Sequence, residues 1–332
     1  MSVDEGVAAQ EQGAPAGSAA ERVLVAGGAG FLGTHLCRRL LIEGHQVICL
    51  DNFQTSAPES VAALVEHPGF SLIEHDICNP LPTGLAPTQI YNLACAASPR
   101  RYQRDPIHTL RTCVQGSLHL LELAHSCGAR ILQASTSEVY GDPRQHPQHE
   151  RYHGNVNPVG LRSCYDEGKR CAETLYADYA RVHGVETKIA RIFNTYGPGM
   201  ATDDGRVVSS FIVQALAGEP LTVFGNGRQT RSLCYVDDMI EGLLRLMNSD
   251  EGFRGPVNLG GIEELTVLEI AQSVRRLAPG ETRVVFMPLP ADDPAVRRPD
   301  ITLARRHLGW QPVVSLEIGL RRTWESFAQR AG

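Results

Sequence analysis

Two short stretches carry side chains suited to moving a proton. In "YDEGK" a phenol, Tyr165, and an ammonium, Lys169, stand four residues apart, so at helical spacing both project from one face. A free phenol ionises near pH ~10, but nearby positive charge favours its phenolate, which can take a proton from an alcohol while hydride leaves the same carbon. In "QASTSEVYG" an apolar run ends in small hydroxyl residues, among them Thr136. An acid, Glu138, then stands where a strand should give way to a loop.

Hydride chemistry needs an acceptor, and the sequence offers a place for one. "RVLVAGGAGFLG" is an apolar run followed by Gly27, Gly30 and Gly33 at the opening of a helical stretch. Glycines there permit a tight turn, a close backbone approach to a pyrophosphate and close helix packing, with the helix N-terminus facing the phosphates. Asp51 ends the next apolar run, placed to accept hydrogen bonds from an adenosine ribose and to repel a 2'-phosphate. No Lys or Arg follows it in "DNFQTSAPES", so NAD is expected rather than NADP. Asp76 and Ile77, at the end of another run, are expected to border the adenine.

The elements that must position these groups alternate from Glu21 onward. Apolar runs such as "QVICLDN", "FSLIEHDI", "QIYNLAC", "ARILQAST" and "ETKIARIFNTYG" are separated by amphipathic stretches, including helices predicted over 107–126 and 165–183. Strands alternating with helices imply an α/β fold: a Rossmann-type doubly wound parallel sheet whose ligands lie at the carboxyl ends of its strands. The expected division is a disordered tail over 1–20, an NAD-binding domain over 21–196, and a smaller C-terminal substrate-binding lobe over 197–332, some segments of which return to the first domain.

Composition removes several classes. With 332 residues and 42% hydrophobic content the chain can bury a large core, and its net charge of -6 argues against a nucleic-acid binder. Nine cysteines without CxxC or Cys/His ligand spacing suggest reduced thiols in a cytoplasmic protein, with neither a disulfide framework nor a metal site. The N-terminus lacks the pattern of a signal peptide, and no run reaches the ~18 apolar residues of a membrane helix.

Taken together, the glycine turn, "STSEVYG", "YDEGK" and "ARIFNTYGP" resemble the extended short-chain dehydrogenase/reductase superfamily. Within it, "ASTSEVYGDP", "CYDEGKR", "DGRVVSSFIVQALAGEPLTVFGNGRQTR" and "DDPAVRRPDI" are most similar to the UDP-glucuronate decarboxylase (UDP-xylose synthase) family, over about Arg22 to Trp324. The resemblance implies NAD-dependent conversion of UDP-glucuronate to UDP-xylose through a 4-keto intermediate, with NADH recycled internally, by a homodimer paired through the helices 107–126 and 165–183. It implies Thr136, Glu138, Tyr165, Lys169 and Arg297 as catalytic residues. To the cofactor site it adds Phe31, Leu32, Asn52, Phe53, Thr55, Leu93, Ala94 and Thr112. To the sugar-nucleotide site it assigns Tyr102, Arg111, Asn194, Arg206 and Arg231. Related 4,6-dehydratases carry Thr-Asp-Glu where this chain has Thr136-Ser137-Glu138, so dehydration lacks its acid; related 4-epimerases generally have no carboxylate at the third position.

Three departures from the family pattern stand out. Cys113 replaces an Asn that commonly braces the catalytic lysine's water network. "QTSAPES" replaces a glycine and a basic residue after "DNF". Arg100, Arg101 and Arg104 make "SPRRYQRDP" more basic, which alters sugar selection or marks an exposed loop. The alternatives are release of the 4-keto pentose, a rearrangement of the UDP-apiose type, or a non-catalytic NAD-binding regulator.

Overall fold

The computed structural model describes residues 20–288 and 296–331. The expected tail over 1–20 therefore lies, save for Ala20, outside the described residues, as do residues 292–295 of the stretch "DDPAVRRPDI". Six strands come first: β1 (Arg22–Ala26), β2 (Gln46–Asp51), β3 (Phe70–Glu74), β4 (Gln89–Asn92), β5 (Arg130–Thr136) and β6 (Thr187–Ile192). Then follow β7 (Thr195–Tyr196), β8 (Leu221–Phe224), β9 (Thr230–Ser232), β10 (Cys234–Tyr235), β11 (Val257–Leu259), β12 (Glu264–Thr266) and β13 (Val284–Met287).

A seven-stranded parallel sheet runs β11-β6-β5-β4-β1-β2-β3. Its central strands are buried on both faces, which is why they read as continuous apolar runs rather than as alternating ones. The order reverses between β1 and β4, opening a crevice at the carboxyl edge. The C-terminal half returns to this sheet. It supplies β11, registered Val257 to Ala190, and helix Val236–Met247, which packs with helix Phe31–Ile42 in one layer whose core includes Leu36, Leu40, Met239 and Leu243. Trp310 is buried in the same core and donates its indole N–H to the Asp238 carbonyl at 2.8 Å. Helices Ser117–Cys127 and Ser163–His183 cover the opposite face through Leu120, Leu121 and Tyr176. The small pairs β7–β10, β9–β12 and β8–β13 stand apart from the main sheet.

Local chemistry sets the boundaries. Pro106 occupies the first turn of helix Pro106–Arg111, and the Asp105 carboxylate accepts from the His108 N–H, closing the helix start. This helix runs through a π-helical turn, Thr112–Gly116, into Ser117–Cys127 and stops at Gly128 with φ +67°, so the helix expected over 107–126 is interrupted by a wider turn. The run "ETKIARIFNTYG" splits into β6 and β7, because Phe193 pairs with Leu259 of β11 whereas Asn194 pairs with Cys234 of β10. "FSLIEHDI" leaves the sheet after Glu74, where Asp76 instead accepts the Cys78 N–H and turns the chain.

At the glycine turn, a Cβ on Gly33 would lie 2.1 Å from the Gly27 carbonyl oxygen and 2.7 Å from Gly28 Cα, backbone atoms that cannot swing away. Gly33→Ala is expected to cost about 1–3 kcal/mol of stability through overpacking. It should also weaken NAD binding, read as a lower melting temperature with a smaller upward shift on adding NAD.

Candidate active site

Helix Ser163–His183 delivers Tyr165 and Lys169 to the carboxyl end of β5. Both are buried, with the Lys169 ammonium 5.8 Å from the Tyr165 ring centre and donating to the Ala134 carbonyl at 2.8 Å. One turn further on, Glu173 locks the helix to the sheet. It accepts from Ser135 at 2.6 Å and from two guanidinium nitrogens of Arg191, on β6, at 2.9 and 2.7 Å. Thr136 ends β5 and accepts the Glu138 N–H at 3.2 Å, capping the single turn Ser137–Tyr140. Its hydroxyl lies close enough to the Tyr165 phenol to favour that group's ionised form. Tyr102 stacks on Tyr165 with ring centres 5.2 Å apart and planes 4° from parallel, and its own hydroxyl is buried without a hydrogen-bond partner. Burial, then the neighbouring Cys95 sulfur, pushes the Tyr165 phenol above its ordinary range against the influence of Thr136. The ammonium anticipated beside it does not outweigh burial.

Glu138 is gripped from two sides. Arg297 makes a bidentate pair with it, one bond at 2.9 Å from Nη2, and Arg162 adds another at 2.6 Å. Burial would raise the Glu138 carboxyl, but the Arg297 and Arg162 charges prevail and hold it at about 2. Asp166, next to Tyr165, is buried, with Oδ1 lacking a partner. Burial pushes its carboxyl up to about 7, aided by the negative Glu138 and opposed by Arg162. Sequence reasoning missed Arg162 and Asp166. Their signal was position, one flanking and one adjoining Tyr165, but nothing in the residue types distinguished them from ordinary helix-start charges.

The cleft at the strand-order reversal is lined by Gly27, Gly30, Asp51, Asn52, Thr55, Asp76, Ile77, Leu93, Ala94, Cys95 and Thr112. Gly27 sits at φ +78°, where a Cβ would meet the Ala94 backbone at 2.8 Å, and Gly30 opens helix Phe31–Ile42, so the turn offers the cleft backbone free of side chains, at a helix N-terminus. Asp51 braces the turn, accepting from Ala29 and Phe53 N–H groups and the Ser56 hydroxyl, each at 2.9 Å. Phe53 is the described non-glycine residue with positive φ, +54°. This cradle, with its acid at the end of β2, fits a dinucleotide. Phe31 and Leu32 begin the helix behind the turn. At the far end, Asp76, Cys78 and His108 bring ligand-type atoms within 4.8 Å of one another. Asp76 and His108 hydrogen-bond there at 2.7 Å. Burial of Asp76 is overridden by the Cys78 N–H and by His108, which hold its carboxyl at about 2.

The residues expected to hold a sugar nucleotide are less tightly gathered. Arg206 begins helix Val207–Leu216 and pairs with Asp204 at 2.5 and 2.8 Å. Arg231 lies on β9 and donates to the Thr230 carbonyl at 2.8 Å, Asn194 lies between β6 and β7, and Arg111 is exposed at the end of its helix. In the basic stretch, Arg101 bonds Asp203 at 2.7 Å and the Thr55 carbonyl, tying the cofactor loop to the C-terminal half, while Arg100 packs against Gly205.

A doubly wound sheet, a glycine cradle with an acid on the second strand, and a Tyr/Lys pair beside a Thr define a dinucleotide-dependent enzyme of proton and hydride transfer. Residues 23–260 match the NAD dependent epimerase/dehydratase family, and the chain belongs to that family. More particularly, it is 53% identical over 312 residues to UDP-glucuronic acid decarboxylase 6 of Arabidopsis thaliana, spanning 94% of this chain and 90% of that one. It is 52% identical over 309 residues to UDP-glucuronic acid decarboxylase 1 of Danio rerio, spanning 93% and 73%. Among solved structures, UDP-glucuronic acid 4-epimerase from Bacillus cereus in complex with UDP-glucuronic acid and NAD superposes with a TM-score of 0.83 at 28% identity, covering 93% and 99%.

Because Glu138 is held at about 2, well below an ordinary glutamate, its charge stabilises the fold at neutral pH and that contribution is lost as pH falls from about 4.5 toward 2. Glu138→Gln, which leaves two guanidiniums short of a partner, is expected to cost about 3 kcal/mol in denaturant unfolding at pH 7, the gap closing toward acid pH. Asp166 works the other way. With its carboxyl raised to about 7, its ionisation opposes folding increasingly from about pH 4 up to pH 7 and fully above that. Asp166→Asn should therefore raise the melting temperature at pH 8 and change it little at pH 4.

Proposed function

We propose that this protein decarboxylates UDP-glucuronate to UDP-xylose, with NAD reduced and reoxidised within one turnover. The observation that carries the reading is the charge cluster beside Tyr165. Arg162 and Arg297 bring two positive charges against one from Glu138, and Asp166 is drawn toward neutrality, so a net cation is left for the substrate's C6 carboxylate.

Tyr165 takes the proton of the C4 hydroxyl as the phenolate, which the Lys169 ammonium together with the cationic nicotinamide of a bound NAD would favour. NAD, held by the glycine cradle and Asp51, would supply a reversible hydride acceptor for C4. The C4 ketone lies β to the carboxylate, so carbon dioxide can leave while its bonding electrons delocalise into the carbonyl. Thr136 and Tyr165 then donate to the enolate oxygen, a contribution of ~3 kcal/mol for one such donor. Arg297 cannot release a proton efficiently, since a guanidinium stays charged. Its bidentate hold on Glu138 suits the pair to orient the water that protonates C5. Lys169 keeps the Tyr165 side of the site positive, and Tyr102 forms an aromatic wall.

Gly27, Gly30, Phe31, Leu32, Gly33, Asp51, Asn52, Phe53, Thr55, Asp76, Ile77, Leu93, Ala94 and Thr112 hold NAD in this reading. Arg206 and Arg231 meet the diphosphate, and Arg111 and Asn194 the sugar. The protein acts in the cytoplasm as a homodimer. Among the described residues no helix is long and apolar enough to cross a membrane, and all nine cysteines are free thiols. Ile107, Leu110 and Val182 are exposed on the two helices proposed to pair, at 74%, 42% and 73%, which supports that face.

Uniformly carbon-labelled UDP-glucuronate supplied with NAD should yield one labelled carbon dioxide and a five-carbon UDP-sugar per turnover, without lasting reduced cofactor. Retention of all six sugar carbons sinks the proposal. Tyr165→Phe is expected to lower turnover by about a thousandfold or more while leaving NAD affinity within a few-fold, measured by single-turnover kinetics and calorimetry.

A further inference from the structure

Two cysteines that the reaction does not use meet beside the catalytic pair. Cys95 follows β4 on the wall of the cofactor cleft, partly open to it, and Cys113 lies in the π-helical turn, 1% exposed. Their sulfurs are 3.4 Å apart, in contact. Cys113 also packs on the catalytic helix, since a Cβ on Gly168, next to Lys169, would lie 3.0 Å from Cys113 Cβ and 3.2 Å from its sulfur. The nearby Cys164 sulfur is turned toward the Tyr102 carbonyl at 3.9 Å.

We propose that Cys95 and Cys113 form a reversible dithiol/disulfide site through which a peroxide switches the enzyme off. Cys95 is the attacking sulfur. It faces the cleft through which a small oxidant enters, and the hydrogen bond from Cys113, then the charge of Lys169, hold its thiol below the usual range against burial. Its thiolate attacks hydrogen peroxide, breaking the O–O bond and releasing hydroxide, and becomes a sulfenic acid. The Cys113 sulfur attacks that sulfenic sulfur, the S–S bond forms as the S–O bond breaks, and the departing hydroxyl leaves as water with the Cys113 proton. In sum, two thiols and one hydrogen peroxide become one disulfide and two waters. Closing the contact to a covalent bond draws the β4 loop and the π turn together by about 1 Å. That displacement falls on the floor of the NAD cleft and on the packing behind Lys169, and misplacement on this scale costs about a hundredfold in rate where geometry is tight.

The test treats the full-length, NAD-loaded protein with hydrogen peroxide and follows intact mass, peptide linkage and turnover. The expected result is a loss of about 2 Da, a crosslinked peptide pair containing Cys95 and Cys113, and turnover reduced at least about tenfold, restored by dithiothreitol. Cys95→Ser, which lacks the attacking sulfur, should keep its own untreated turnover within about twofold through the same treatment. If it does not fold, Cys113→Ser serves instead and is read by mass: it should gain oxygen at Cys95, about 16 Da for each oxygen, with no loss of 2 Da. A linkage of Cys95 to Cys164, no crosslink at all, a Cys95→Ser variant inactivated as fast as the parent, or a Cys113→Ser variant left unoxidised at Cys95 overturns the proposal. Mass and linkage are read without substrate, so a failed decarboxylation assay and a failed crosslink are separate results.

Discussion

A single carboxylate, Glu138, held between two guanidiniums, joins three parts of the chain. It stands at the end of β5, Arg162 precedes helix Ser163–His183, and Arg297 comes from the C-terminal loop. Desolvating such a cluster is costly, and it is retained only where geometry and further hydrogen bonds compensate. Here the compensation is bidentate, and the cluster keeps an excess of positive charge within a chain of net charge -6, which suits it to the anionic substrate proposed for it.

The parallel sheet makes that cluster possible. Reversal of strand order between β1 and β4 leaves a cleft at the carboxyl edge, and β5, two places from β1, brings Thr136 and Glu138 to its rim. The Glu173–Arg191–Ser135 bonds hold the catalytic helix to β5 and β6, so Tyr165 and Lys169 do not depend on a loop for their placement. Rigid support beneath a buried phenol suits a step that requires heavy atoms within hydrogen-bond reach. Asp166 illustrates the opposite choice. Its burial without a full set of partners costs stability, and sites that bind charge commonly carry such a cost.

The second half of the chain does two jobs. Helix Val236–Met247 and strand β11 complete the layered core, while Arg297 reaches Glu138 and Arg206 pairs with Asp204. Arg101 fastens Asp203 to the cofactor loop at Thr55. The loop after β2 and the C-terminal half are therefore connected through one side chain, and the basic stretch at 100–104, ambiguous as a string of letters, contains at least one arginine with a structural partner on each side.

What the sequence by itself determined is everything written in local pattern. The glycine spacing before a helix, the acid at the end of β2, Tyr165 and Lys169 one helical turn apart, Thr136 and Glu138 at a strand end, and the alternation of apolar runs are each specified within a few residues, where backbone geometry dictates side-chain direction. Only the tertiary structure decided the rest. Glu138 and Arg297 are 159 residues apart and Cys95 and Cys113 are 18 apart on different elements, and no periodicity relates them. Arg162 and Asp166 acquire their meaning from the charges around them. The π turn at Thr112–Gly116 and the division of "ETKIARIFNTYG" follow from which neighbour each backbone group finds. Pairing at long separation depends on how layers stack, and stacking is a property of the whole core rather than of any stretch of chain.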